Sequence, residues 1–61
     1  MGRDEVIKRL KEHLTAKVQQ NGRLSKNDKY YCIHYAEDFL QMKKNQAIRF
    51  IEENIPIVAN L

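Results

Sequence analysis

The chain has 61 residues, 43% of them apolar and 31% charged, with a net charge of +3. That length allows one domain, which buries only about 60% of the surface its unfolded form exposes. One cysteine excludes an internal disulfide, and no Cys-x-x-Cys pair or His/Cys cluster has zinc-finger spacing. Of the supports that small chains use, association with another chain is the one left.

Two glycines and one proline are too few breakers for a turn-rich β fold, so the expected class is all-α, a single helical domain over residues 1–61. No apolar run approaches the roughly 20 residues of a membrane span. No basic-then-apolar leader pattern appears. Val6 stands where a myristoylation signal starting at Gly2 would need Ser or Thr. With its free cysteine, the chain is expected to work in the cytoplasm.

The first helix is expected from about residue 4 to 20. Val6, Ile7, Leu10, Leu14 and Val18 recur every three or four residues and share a face. Asp4 is placed to cap it, and Glu5 with Arg9 and Lys8 with Glu12 are each four apart, within reach across one turn. Asn21-Gly22 is the stop, because glycine takes the left-handed conformation without a Cβ clash.

Ser25, with Asp28 three residues on, marks the start of a second helix, expected from about 26 to 43. All three tyrosines and one of the two phenylalanines of the chain lie between Asp28 and Met42. The polar stripe of this helix is narrow, and the apolar circumference exceeds the roughly 100° of an ordinary surface helix. It reads as a central helix contacted from two sides.

Lys43 to Gln46 contains no apolar residue. A short turn with Asn45 as the cap of a third helix, 46–54, is favoured over one continuous helix from 26 to 54. Ala47, Ile48, Ile51 and Ile55 form the apolar face, with Phe50 off its edge. Pro56 ends the helix, since it disfavours the α conformation in the residue before it. The apolar tail 56–61 reads as an extended arm lying on a neighbour.

Catalysis finds no support. Cys32 and His34 lie about 200° apart around a helix and cannot act as a pair. His34 and Asp38 share a face, and with His13 or with a symmetry mate could ligate a metal, but a solvated polar stripe accounts for them. No phosphate-cradling glycine loop exists. No cofactor, metal or small-molecule substrate is therefore expected.

Two functions remain. The first is protein–protein interaction, as a homodimer or with another protein, through Tyr31, Tyr35, Phe39 and Met42. The first and third helices carry too few apolar residues to cover these as well as Cys32, Ile33, Ala36 and Leu40, and uncovered apolar surface on a small domain marks association. The alternative is DNA binding by a helix-turn-helix. Arg23, Lys26 and Lys29 gather at the start of the second helix and Lys43 and Lys44 before the third, where Gln46 and Arg49 would read bases. Glu52, Glu53 and the lack of a glycine in the turn count against it.

Overall fold

The computed structural model describes residues 1–61 and holds three helices, α1 (Arg3–Asn21), α2 (Lys26–Leu40) and α3 (Lys44–Asn54), followed by a 3-10 turn over Pro56–Val58. α2 is central, packing against α1, α3 and the 3-10 turn.

Helix α1 begins one residue before the expected start. Extended Gly2, rather than Asp4, occupies the capping position, and its carbonyl accepts the Val6 N–H at 3.1 Å. Asp4 and Glu5 sit in the first turn, where the helix dipole favours negative charge. At the other end Gly22 adopts φ 80°, and its N–H donates to the Val18 carbonyl at 2.7 Å. Helix α2 starts as its sequence requires, with the Asp28 carboxylate accepting from the Ser25 backbone N–H at 2.8 Å and from its hydroxyl at 3.2 Å.

Between α2 and α3 the expected boundaries move. Helix α2 stops at Leu40, because Gln41 turns left-handed (φ 55°, ψ 39°) and its Nε2 donates to the Asp38 carbonyl at 2.8 Å. One continuous helix from 26 to 54 is thereby excluded. A glutamine serves where a glycine is usual, held by bonding a carbonyl that the ended helix leaves free. Helix α3 starts at Lys44, not Gln46. Lys43 is the capping residue, and its N–H donates to Gln46 Oε1 at 3.2 Å, so the reciprocal partner is Gln46 and Asn45 lies within the first turn.

The core takes Val6, Leu10 and Leu14 from α1, Cys32, Ile33 and Ala36 from α2, and Ala47, Phe50 and Ile51 from α3. Ile55 and Val58 complete it. No buried side-chain nitrogen or oxygen lacks a partner. Phe50 is buried rather than peripheral, because the start of α1 passes near it and the Arg3 guanidinium lies 5.8 Å from its ring centroid. Val18, assigned to the α1 face, is exposed. Positions four apart advance by about 40° around a helix, so a row begun at Val6 has rotated off the core three steps later.

The tail is not an extended arm. Pro56 opens the 3-10 turn, Val58 is fully buried and Leu61 packs against the core. Lys29 ties it down, with Nζ donating to Glu52 Oε2 at 2.9 Å and to the Ala59 carbonyl at 3.2 Å. Apart from a 3.8 Å contact between the Tyr35 hydroxyl and Met1 Sδ, these are the only side-chain hydrogen bonds that join distant parts of the chain.

Candidate interaction surface

Tyr31, Tyr35 and Phe39 are spaced one turn apart on α2, so their side chains climb one flank of the helix with a slow rotation. That flank adjoins α1. His13 of α1 lies flat on Tyr31, with ring centroids 4.1 Å apart and 17° between planes. Tyr31 and Tyr35 follow at 6.0 Å and Tyr35 and Phe39 at 4.4 Å, both tilted. The four rings form an unbroken row. Tyr31 and Phe39 are 44% and 49% exposed, while Tyr35 is half-buried beneath Met1.

Arg9 sits one turn before His13. Its guanidinium bonds Glu5 at 3.2 Å, and this contact, with a weaker one from Tyr35, raises its pKa, so the cation stands beside the row. Lys8 and Glu12 do not form the matching ion pair. Arg49 forms no ion pair with Glu52, which is held by Lys29, or with Glu53.

Of the four residues expected at an interface, the structure brings three together. Met42 lies past the left-handed turn, half-buried in a cleft lined by Ile7, Leu40 and Phe50. His13 was missed as a member of the row, although it immediately precedes the core residue Leu14, at the border of the apolar stripe of α1. Tyr30 is also exposed but points about 100° away from Tyr31.

The basic residues are divided. Arg23 and Lys26 are exposed at the start of α2, and Lys43 and Lys44 beyond its end. The fifteen residues between them span about 22 Å. Lys29 is engaged inside the fold, and Gln46 spends its carbonyl oxygen on the Lys43 N–H. Arg49 lines the cleft beside Met42, together with Arg3, Asp4 and Glu53.

Cys32 is fully buried, and burial, with a smaller contribution from the Asp28 charge, pushes its thiol up to about 11. His34 is exposed and bonds Glu37 at 3.0 Å, not Asp38. No three His, Cys, Asp or Glu side chains are grouped so as to hold a metal ion, and no helix is long and apolar enough to cross a membrane. Comparison with protein-family models, curated proteins and solved structures finds no match.

Aromatic side chains bury 150–250 Å² each, so two half-exposed rings and a partly exposed third leave a patch on the order of 300 Å². That is the size of the largest apolar patch on an ordinary monomer, which is often functional. It is smaller than the roughly 800 Å² per partner of a stable interface, so it suits the anchor of a contact with a wider polar rim.

Proposed function

We propose that this protein is a small helical docking module that acts by contact, not catalysis, and binds another protein chain through the row His13, Tyr31, Tyr35 and Phe39. The observation that carries this reading is the continuity of the four rings along one flank, with Tyr31 and Phe39 exposed on either side of Tyr35, which Met1 partly covers. Rings supply dry contact area, while the tyrosine hydroxyls and Arg9 supply polar contacts at the edge. A second copy is the first partner to test. With Tyr31 and Phe39 one turn either side of Tyr35, two rows can pack antiparallel about a twofold axis, as an isologous dimer requires. A buried, free Cys32 suits a reducing cytoplasmic setting.

Sedimentation over a concentration series tests the proposal. Wild type is expected to exceed its 7.3 kDa chain mass as concentration rises. Phe39→Asp should return it to the monomer with unchanged helicity by circular dichroism. A wild-type monomer at every concentration removes self-association, and the same row is then the surface to map against a different protein.

One observation favours nucleic acid as a second reading. The left-handed Gln41 gives the α2–α3 connection the short, sharp turn of a helix-turn-helix, and Lys43 and Lys44 are exposed beside it. Binding to duplex DNA that falls steeply with salt, and that Lys43→Glu with Lys44→Glu abolishes, would support it. Absence of binding at low salt would dismiss it.

A further inference from the structure

Two of the large exposed apolar side chains, Val18 (38%) and Ile57 (64%), do not belong to the aromatic row. Both line one groove of about 510 Å³. Leu14 and Val18 from the second half of α1, with Leu24 from the α1–α2 turn, make one wall, and Ile55, Pro56 and Ile57 make the other. Lys11 is the single charged residue in the lining, and no carboxylate joins it. Lys8, three residues before Lys11, is its neighbour on the exposed surface of α1, and Arg23 precedes Leu24 in the chain.

We infer that this groove is a second docking site, which receives an amphipathic helix of a protein partner whose apolar stripe is flanked by Asp and Glu. The α1 wall from Lys11 to Val18 is about 10 Å long, enough for two successive apolar side chains of a bound helix. Lys11, with no carboxylate beside it in the lining, meets acidic flanks with attraction and basic flanks with repulsion, which gives the site a preference that apolar burial alone lacks. Arg9, beside the aromatic row, and Lys11, in the groove, point about 200° apart around α1. The two surfaces therefore face different directions and can be occupied together.

The test uses the intact chain, 15N-labelled, titrated with two synthetic peptides of about 16 residues, long enough to favour helix. Both carry the same leucine stripe, flanked in one by glutamates and in the other by lysines. The glutamate peptide should shift the amides of Leu14, Val18 and Ile57 and bind at least about tenfold tighter than the lysine peptide. Ile57→Asp, at a site exposed enough to leave the fold intact, should weaken it by a similar factor with an unchanged thermal midpoint. Lys11→Glu should remove or invert the charge preference while leaving the helix content alone. Equal binding of the two peptides, or shifts centred on Tyr31 and Phe39, would overturn the inference. So would shifts of Val18 and Ile57 that grow with protein concentration in the absence of peptide, since a second copy would then be the occupant.

Discussion

Cys32 shows how burial decides the chemistry of one residue. Its thiol is moved from the ordinary 9.0 to about 11, chiefly by burial and secondarily by the Asp28 charge. Each unit is tenfold in the ionised fraction, so at pH 8 the reactive thiolate is about a hundredfold scarcer than in an unfolded chain, before access is considered. Alkylation by iodoacetamide, followed by mass spectrometry, should be slowed by at least that factor and restored in urea. The linkage has a definite sign. The folded state keeps its proton at pH values where the unfolded state has lost it, so Cys32 favours folding fully below pH 9. That contribution declines between about pH 9 and 11. Urea titrations across this range should show a steeper alkaline loss of stability in wild type than in Cys32→Ala, the tyrosines being common to both.

At the scale of elements, the two helix ends that matter are both left-handed and are solved by different residues. Gly22 reaches φ 80° at no steric cost, and Gly22→Ala should destabilise by about 1 kcal/mol. Gln41 reaches φ 55° against its Cβ, held by the bond to the Asp38 carbonyl. A β-branched residue there cannot make that bond and is stiffer, so Gln41→Val should lose about 1–2 kcal/mol. Gln41→Gly should come within about 0.5 kcal/mol of wild type, relief of strain offsetting the lost bond and the greater freedom of the unfolded chain. Thermal midpoints resolve these differences, at roughly 4–8 °C per kcal/mol in so small a domain.

For the whole molecule, stability rests on eleven buried residues and one polar tie. Ile51 is completely buried in α3, and Ile51→Ala should cost about 2–5 kcal/mol. That is comparable to the full stability of a domain of this size, so the variant should be largely unfolded by circular dichroism at 25 °C. Lys29 acts at longer range, joining the first turn of α2 to Glu52 and to the tail. Lys29→Met keeps the apolar stem but removes both bonds and should cost about 1–2 kcal/mol in urea unfolding. The cost should persist in molar salt, because the lysine is largely shielded from solvent, whereas the exposed Glu5–Arg9 pair should be insensitive to substitution there.

By itself the sequence determined the local structure: three helices from the recurrence of Val6, Leu10 and Leu14, of Cys32, Ile33 and Ala36, and of Ala47 and Ile51, with stops at Gly22 and Pro56. These signals sit in neighbouring residues, since hydrophobic period, caps and breakers act over one or two turns. That Tyr31, Tyr35 and Phe39 share a flank of one helix was legible for the same reason. What only the tertiary structure decided depends on which segment covers which. His13 meets Tyr31 because α1 lies along α2. Met42 is separated from the row by a turn whose left-handed residue is a glutamine. Lys29 leaves the surface because the tail, which pattern alone reads as an arm, folds back over the core. Contacts between residues distant in the chain depend on how the helices cross, and no local period records that.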